Sequence, residues 1–372
     1  MRKYYSIMIK PASSLCNMRC KYCFYHDIAS LREVRSYGVM EYNLIDDFLN
    51  RIHDELSDYD SLNIAFQGGE PSIAGLEWFK HFVAEINKWT KKIKVSYAFQ
   101  TNGLLIDEKW AEFFRDNHFL LGISFDMLKD IHDDIRIDNE DKGTYLKVKN
   151  TMDLLKKYGV EFNVLCTLSN TLARYPKKVY QKLKEYDIRY VQFTPCLDEL
   201  DSKKRSVFAI TPKRFGSFYK EIFDLWYQDF MNGNYYSIKL IDDLVNLLAF
   251  RELTACGMMG KCQPQIVVEA NGDVYPCDFY CLDEYKIGNI ANVSLEGLYQ
   301  VSATHFSKKP KALPSHCDKC VYQSMCYGNC VRMRSGICLD MQDNECGFEE
   351  LLKYTYDRLR LIALRERSYR MK

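Results

Sequence analysis

Short apolar or alternating segments recur along the first half of the chain, and each has the length of a β-strand. The first is YSIMIKP, and the five that follow are LNIAFQ (62–67), KVSYAFQ (94–100), FLLGISFD (119–126), VEFNVLCTL (160–168) and RYVQFTP (189–195). Segments of this length and composition are typical of strands. The pattern therefore predicts six of them.

Helical periodicity occupies most of the intervals between these strands. Apolar residues recur every three or four positions in 75–89, 108–117 and 144–159, and later in 211–230 and 240–253. Strands that alternate with amphipathic helices indicate a parallel sheet with right-handed crossovers. Six βα units are fewer than the eight of a closed barrel. We therefore expect an α/β fold with a partial (β/α)6 TIM-like barrel, whose chemistry gathers at the carboxyl ends of its strands.

Composition places the chain among soluble globular proteins and disfavours two classes of partner. Of the 372 residues, 47% are hydrophobic and 27% are charged, which is enough for a substantial core. The net charge of +1 gives no electrostatic reason to expect nucleic acid or a membrane as a partner. No apolar stretch approaches the length of a membrane span, and the first residues resemble a strand rather than a leader. We therefore expect a cytoplasmic protein.

Cysteine usage changes near Thr254. The chain has 15 cysteines, eight of which fall between Cys256 and Cys330. Structural disulfides do not persist in the cytosol, so this density predicts metal sites. The same region contains QIVVEANGDVYPC, whose Asn271–Gly272 pair predicts the turn of a hairpin.

These changes predict three parts of the chain. A barrel domain is expected over 1–235, and a cysteine-rich domain over 236–348, which is entered through a linking helix at 236–253. The amphipathic tail, 349–372, predicts a C-terminal helix that packs on its own domain.

The segment CNMRCKYC, directly after the first strand, places Cys16, Cys20 and Cys23 on one short loop. Three thiolates can hold three irons of a [4Fe–4S] cluster and leave the fourth iron open to a small molecule, whereas four cysteines would close the cluster. A zinc site is the alternative, with His26 as the local fourth ligand. A disulfide framework is disfavoured because the chain has no apparent leader and is large enough to fold without one.

The second strand is followed by Gln67, Gly68, Gly69, Glu70 and Pro71. Paired glycines let backbone amides and carbonyls approach a ligand closely, although a GGEP segment alone predicts no more than a turn. In this barrel the segment would lie beside the cysteine loop, because both follow neighbouring strands.

Together, the CxxxCxxC loop, Tyr22 before its last cysteine, and GGEP one strand later resemble the radical S-adenosylmethionine (SAM) enzymes. The resemblance implies SAM as a cofactor, bound to the open iron. Its contacts would come from the loop tyrosine and the strand-end residues. Ser124 is a further candidate for the SAM ribose or carboxylate, and Arg136 for the carboxylate. An exposed salt bridge is the alternative for Arg136. The cofactor-binding set implied is therefore Tyr22, Gln67, Gly68, Gly69, Glu70, Ser124 and Arg136.

The last third of the chain resembles the SPASM domain, which extends radical SAM enzymes that modify peptides and proteins. The resemblance implies two auxiliary [4Fe–4S] clusters, three clusters in all. Their ligands would be Cys256, Cys262, Cys277 and Cys330 for one, and Cys317, Cys320, Cys326 and Cys346 for the other. A zinc ribbon is the alternative for the second set. Cys338 is an alternative to Cys346, Cys166 is expected to be a buried apolar residue, and Cys196 and Cys281 have no assigned role.

Similarity to the anaerobic sulfatase-maturating enzymes extends over nearly the whole chain, including MIKPASSLCN, AFQGGEPS and NGDVYPCDFYCLDEYKIGNI. Those enzymes oxidise a cysteine or serine in a CxPxR or SxPxR segment of a sulfatase to Cα-formylglycine. The resemblance implies a 5′-deoxyadenosyl radical that takes a β-hydrogen, an auxiliary cluster that accepts an electron, and a flavodoxin- or ferredoxin-type donor. It also implies Asp278 as the base, or else a turn cap, and Tyr25 as the residue that orients it, or else packs over the cluster.

One departure from that family widens the set of functions. The family commonly has a glycine after the aspartate that ends the fourth strand, where this chain has Met127, which lacks a glycine's backbone freedom. The alternative enzyme is therefore a maturase of ribosomally made peptides that forms a thioether, a carbon–carbon crosslink or an epimer. A non-catalytic iron–sulfur electron carrier is the alternative outside enzymes.

Overall fold

A computed structural model describes residues 2–202, 204–305, 313–339 and 345–370. Within these residues the chain forms ten strands, which are β1 (Tyr4–Ile9), β2 (Ser61–Phe66), β3 (Lys94–Thr101), β4 (Phe119–Ser124), β5 (Phe162–Leu168), β6 (Tyr190–Pro195), β7 (Ser237–Ile238), β8 (Ile266–Val268), β9 (Asp273–Tyr275) and β10 (Gly288–Asn289). All six strands predicted from the hydrophobic pattern are present.

The α-helices include all five that the periodicity predicts, with ends that differ by at most three residues. In chain order the described helices are α1 (Phe24–Ser30), α2 (Tyr42–Glu55), α3 (Leu76–Asn87), α4 (Glu108–Asp116), α5 (Lys129–Ile135), α6 (Tyr145–Tyr158), α7 (Pro176–Glu185), α8 (Pro212–Met231), α9 (Lys239–Phe250), α10 (Leu295–His305), α11 (Gln323–Cys326), α12 (Arg334–Ile337) and α13 (Gly347–Arg370). None of the helices in these ranges has the length and apolar character that crossing a membrane requires.

The chain divides into two compact units, and each is assembled from separate segments. The first unit comprises Met1–Ser124, Asp133–Phe162 and Pro264–Lys309. The second unit comprises Phe125–His132, Asn163–Gln263 and Pro310–Lys372. The expected domain boundaries at 235/236 and 348/349 stay a prediction, because they concern evolutionary domains rather than compactness.

In the first unit, β1 to β4 form a parallel sheet in sequence order. The strand β8 adds to the other edge of β1, also parallel, and β9 returns antiparallel to it. The predicted hairpin therefore forms, and it joins the sheet of the amino-terminal strands, which the sequence did not indicate. In this register Ile9 lies opposite both Phe66 and Val268, so the residues after β1, β2 and β8 meet at one edge.

Aromatic packing holds the helices of the first unit on this sheet. The ring of Phe66 on β2 lies 5.0 Å from that of Phe79 on α3, and the ring of Phe99 on β3 lies 5.0 Å from that of Phe114 on α4. All four side chains are fully buried. Burial of a phenylalanine contributes about 1.5–3 kcal/mol, so this core fixes the strand ends that carry the site.

In the second unit, β5, β6 and β7 pair in parallel. The C-terminal helix α13 packs against α8, where the rings of Phe348 and Phe215 stack at 6.4 Å and Arg358 pairs with Asp224 at 2.7 Å. The predicted tail helix therefore forms and packs within its own unit. Cys166 on β5 is completely buried, as expected of an apolar residue.

Candidate active site

The loop after β1 carries Cys16, Cys20 and Cys23, and all three are partly buried. Its backbone is anchored between the cysteines, because the N–H groups of Arg19 and Lys21 donate to the carbonyls of residues 137 and 135, at 2.8 and 3.1 Å. Burial raises the pKa of Cys16 to about 12, with the neighbouring Glu70 as the second cause. A bound cation reverses this effect by stabilising the thiolate.

The spacing of the sulfur atoms tests the zinc alternatives. A single tetrahedral zinc with bonds of about 2.3 Å needs sulfurs about 3.8 Å apart. Among the described residues, no three cysteine sulfurs lie within 4.8 Å of one another. Soft thiolates on one loop, spread more widely than one metal ion requires, fit a multi-iron cluster better than zinc.

The paired glycines after β2 pack directly against the cysteine loop. The N–H of Gly69 donates to the carbonyl of Ser13 at 2.9 Å, and the N–H of Glu70 donates to that of Leu15 at 2.8 Å. A Cβ atom built on Gly69 would lie 2.2 Å from the Leu15 carbonyl oxygen. Glycine is therefore required here because the two loops touch through their backbones.

Substitution of Gly69 by alanine is expected to push the cysteine loop away and lower the iron content of the protein. Overpacking of this kind costs about 1–3 kcal/mol, and the clash is with backbone that cannot rotate aside. Gly75→Ala is the control for backbone strain alone, because Gly75 also follows β2 and its φ of 85° disfavours alanine, while open space surrounds its Cβ position. It can lower the melting temperature but should leave the iron content unchanged, so equal iron content in both variants would contradict the prediction.

Glu70 joins the second and third strand ends. Its carboxylate accepts hydrogen bonds from the hydroxyls of Ser72 and Thr101 at 2.6 and 2.8 Å, and from the backbone N–H of Asn102 at 2.7 Å. Burial raises the pKa of Glu70, and these hydrogen bonds oppose the shift. The predicted cofactor contact of Glu70 stays a prediction, while its carboxylate has a clear positioning role.

The other predicted cofactor residues lie on the same unit. The guanidinium of Arg136 lies 5.4 Å from the centre of the Tyr22 ring, in a cation–π arrangement. Arg136 is only 7% exposed, so the alternative of an exposed salt bridge is wrong. Asn102 donates to the side chain of Asn17 at 2.7 Å, which holds the loop beside Cys16. Ser124 ends β4 and is partly buried, and its role stays a prediction.

Asp278 follows β9 in a single 3-10 turn and is 8% exposed. Its Oδ2 atom accepts hydrogen bonds from the hydroxyl of Tyr25 at 2.6 Å and from Nε2 of Gln67 at 3.0 Å. Its Oδ1 atom lies 3.1 Å from the Lys10 ammonium. These partners are side chains from other elements, so the turn-cap alternative for Asp278 is wrong.

Tyr25 points its hydroxyl at Asp278, which supports the orienting role rather than simple packing. Burial raises the pKa of Tyr25 well above its usual value, and the nearby Asp278 carboxylate adds to the shift. The phenol therefore stays protonated and donates. Lys10 also covers the Tyr25 ring, with its nitrogen 4.6 Å from the ring centre.

Four charged groups form what we term the buried charge cluster: Lys10, Arg32, Glu269 and Asp278. Lys10 lies 3.7 Å from Glu269, and Arg32 lies 2.7 Å from the same carboxylate. Ser13 also donates to Glu269, at 2.8 Å. Two cations and two carboxylates make the cluster formally neutral, as burial of charge requires.

Mutual attraction outweighs burial for two members of this cluster. Burial alone would lower the pKa of Lys10, but the neighbouring Cys281, Asp278 and Glu269 raise it well above its usual value. Burial alone would raise the pKa of Glu269, but Lys10 and Arg32 lower it. Both groups therefore stay charged near neutral pH. Cys281 accepts a hydrogen bond from Lys10 at 3.2 Å and is completely buried, where burial raises its pKa to about 12.

A second concentration of thiols lies in the second unit. There a small cavity is lined by five cysteines together with Phe348 and Leu352, the cysteines being Cys317, Cys320, Cys326, Cys338 and Cys346. The backbone N–H of Gly328 donates to the sulfur of Cys326 at 3.2 Å. The backbone N–H of Glu349 donates to the sulfur of Cys346 at 3.4 Å. Amides that donate to sulfur are a feature of iron–sulfur sites, where they adjust the potential.

The other predicted auxiliary set is Cys256, Cys262, Cys277 and Cys330. Gly257 allows Cys330 to approach the segment of Cys256, since a Cβ atom on Gly257 would lie 2.6 Å from that of Cys330. Burial raises the pKa of Cys256, and the nearby Cys330 adds to the shift. Cys262 belongs to the same second unit, whereas Cys277 belongs to the first, so this four-cysteine set stays a prediction.

Comparison with known proteins identifies the family. The Radical SAM superfamily model matches residues 11–173, and that of an iron–sulfur cluster-binding domain, SPASM, matches residues 256–321. A cysteine-type anaerobic sulfatase-maturating enzyme from Clostridium perfringens strain ATCC 13124 is 40% identical over 364 residues, which are 96% of this chain and 98% of the relative. This chain belongs to the anaerobic sulfatase-maturating enzymes.

Further relatives of the anaerobic sulfatase-maturating enzymes match over similar lengths. A serine-type enzyme from Bacteroides thetaiotaomicron is 29% identical over 96% of this chain and 89% of its own. The solved structure of native anSMEcpe with bound AdoMet and Cp18Cys peptide has a TM-score of 0.88 at 38% identity, covering 97% of this chain and 99% of that one. The predicted fold class and radical SAM enzyme class are confirmed, and the non-catalytic electron carrier is excluded.

In this member of the anaerobic sulfatase-maturating enzymes, Met127 adopts the left-handed backbone conformation, with a φ of 54°, and is fully buried. The expectation that methionine could not replace a glycine's backbone freedom is therefore wrong. The conformation costs a non-glycine residue roughly 1–2 kcal/mol. Methionine in place of the family's usual glycine therefore adds backbone strain at this position. It gives no independent support for another peptide substrate.

Sequence reasoning missed Lys10, Arg32 and Glu269, which complete the site around Asp278. A signal for two of them was present, because Lys10 and Glu269 each follow an apolar strand directly. In a parallel sheet that position faces the site. Nothing in the sequence pattern marks Arg32, which lies two residues after α1.

Proposed function

We propose that this enzyme oxidises a cysteine side chain in a CxPxR segment of a sulfatase polypeptide to Cα-formylglycine. Support for a cysteine rather than a serine substrate comes from the identity of 40% to a cysteine-type enzyme against 29% to a serine-type enzyme, over equal shares of this chain. The observation that carries the proposal is a buried carboxylate, Asp278, which is oriented by Tyr25, a residue two positions after the last loop cysteine.

The proposed cofactors are SAM and three [4Fe–4S] clusters. The solved relative is described with AdoMet bound, and the loop thiols of this chain fit a cluster with one open iron. Cys16, Cys20 and Cys23 would hold the first cluster, and SAM would bind at its open iron beside the backbone of Gly68 and Gly69. Reductive cleavage of SAM there would supply the radical that takes a hydrogen atom from the substrate β-carbon, and an auxiliary cluster would take up an electron.

Asp278 takes the substrate's thiol proton. Among the described residues its buried Oδ1 atom accepts no hydrogen bond of good geometry, although Lys10 lies 3.1 Å away. Tyr25 and Gln67 occupy Oδ2 and fix the orientation of the carboxylate. Oδ1, the oxygen that neither Tyr25 nor Gln67 contacts, is therefore the atom that we assign to receive the proton.

The proposed reaction balances with three losses from the substrate. One hydrogen atom leaves the β-carbon, one proton moves from sulfur to Asp278, and one electron leaves for an auxiliary cluster. The product is a thioaldehyde, and water converts it to the aldehyde with release of hydrogen sulfide. The electron returned to the clusters then passes to a flavodoxin- or ferredoxin-type partner, which is also the proposed donor of the first electron.

We expect the anaerobically reconstituted and reduced protein to convert a CxPxR peptide to the aldehyde and to release 5′-deoxyadenosine with it. A peptide with alanine in place of the cysteine is the control, because it has no thiol proton to lose. Mass spectrometry after aldehyde trapping measures the product. A crosslinked or epimerised peptide would favour a ribosomal-peptide maturase, and faster conversion of an SxPxR peptide would contradict the cysteine assignment.

A further inference from the structure

The thiol cavity of the second unit holds one cysteine more than a cluster needs. A [4Fe–4S] cluster is closed by four thiolates. Five cysteines line this cavity: Cys317, Cys320, Cys326, Cys338 and Cys346. The last two are both buried and are linked by a backbone bridge next to Cys338, so we look for the surplus thiol in this pair.

The backbone holds Cys338 and Cys346 side by side. An antiparallel bridge pairs residue 339 with Cys346, and the N–H of Gly347 donates to the carbonyl of Cys338 at 2.9 Å. Cys338 is therefore next in sequence to the residue that pairs with Cys346, and Cys346 is next to the residue that donates to Cys338. A short movement at this bridge would exchange one sulfur for the other without displacing α13, which begins at Gly347.

Cys338 also lies within reach of the sulfurs that are assigned as ligands. The side-chain amide of Asn329 donates to the sulfur of Cys326 at 3.5 Å and to that of Cys338 at 3.7 Å. One amide thus contacts both sulfurs, and Asn329 itself is buried. The sulfur of Cys338 therefore lies near that of the assigned ligand Cys326, and Cys338 is not a distant packing residue.

We propose that Cys338 is a reserve ligand of the second auxiliary cluster, able to replace Cys346 as the fourth thiolate. This inference rests on the proposed set of three clusters. In the unaltered protein Cys346 ligates the cluster, and Cys338 stays beside it as a thiol. Loss of Cys346 alone then leaves a complete set of four ligands in the cavity.

Iron and sulfide counts on anaerobically reconstituted variants test the proposal. Three four-iron clusters give about 12 irons per chain in the unaltered protein. Cys346→Ala and Cys338→Ala are each expected to keep about 12, whereas the double variant and the control Cys320→Ala are expected to fall to about 8, or to show a three-iron cluster by electron paramagnetic resonance. Cys346→Ser serves as a second variant with nearly unchanged packing, and release of 5′-deoxyadenosine reports that each protein is folded.

The iron counts distinguish failure of the proposed role of Cys338 from absence of the second auxiliary cluster. Loss of iron from Cys346→Ala and Cys346→Ser equal to that from Cys320→Ala would overturn the proposal while leaving the auxiliary cluster in place. Unchanged iron in Cys320→Ala alone would overturn the specific exchange of Cys338 for Cys346, and unchanged iron in the double variant as well would show that no cluster uses this cavity and would overturn both. An altered spectrum of the reduced cluster in Cys346→Ala, with full iron content, would support the exchange of ligands directly.

Discussion

Replacing Asp278 with asparagine is expected to abolish aldehyde formation while leaving the clusters intact. The substitution keeps the shape of the side chain and an oxygen that can accept from Tyr25, but it removes the carboxylate that takes the thiol proton. General bases contribute about 10²–10⁴-fold to rates, so activity should fall at least a hundredfold. The measurement compares peptide aldehyde with 5′-deoxyadenosine, whose release should continue without coupled product.

The matched control for this prediction is Asp283→Asn. Asp283 lies in the next turn of the same segment, is exposed, and accepts a hydrogen bond from the backbone of Glu33. Its replacement changes the same functional group without touching Tyr25, Gln67 or Lys10. A fully active Asp278→Asn protein, or equal losses in both variants, would disprove the role of Asp278 as the base.

The strands and the cysteine loop could be predicted from sequence because their signals are local. Each strand is a short apolar or alternating segment, and Cys16, Cys20 and Cys23 are recognised by their spacing. The strand-end rule then placed Gln67 beside the loop, as the structure has it. The sequence pattern was sufficient to predict a structural feature wherever residues close together in sequence form that feature.

The charge cluster could not be predicted, because its members are distant in sequence. Lys10 meets Glu269 only because β8 pairs with β1, and a three-residue strand near a cysteine-rich segment gives no indication of that partner. The choice of Cys346 over Cys338 stays a prediction for a different reason. Sequence spacing allows either cysteine, and the structure shows that both line the cavity.

Met127 shows the limit of arguing from residue type alone. Its backbone takes the conformation that favours glycine, and the surrounding core holds it there. Tertiary packing that contributes several kcal/mol can hold a residue in a backbone conformation that costs about one or two kcal/mol. A single unfavourable residue at a strand end is therefore weak evidence of a different function, compared with similarity that extends over 96% of the chain.

Replacing Lys10 with methionine is expected to destabilise the fold by about 3–5 kcal/mol, because it leaves Asp278 and Glu269 with Arg32 as the one remaining cation of the cluster. Methionine fills a similar volume, so loss of packing contributes little. Aldehyde formation should also fall, because the carboxylate of Asp278 loses the ammonium 3.1 Å away that holds its orientation. Urea unfolding and the peptide assay measure the two effects.

The control and the pH dependence distinguish a charge effect from simple disruption. Lys3→Met removes an exposed lysine just before the same strand, which pairs with Glu296, and should change stability little. Since Lys10 and Arg32 lower the pKa of Glu269 below its usual 4.5, the folded protein gains stability as pH rises through the range just below that value and loses it as pH falls. Lys10→Met removes part of that shift, so its stability should depend less on pH there. A parallel pH dependence in Lys10→Met and the unaltered protein would show that Lys10 does not stabilise the Glu269 charge.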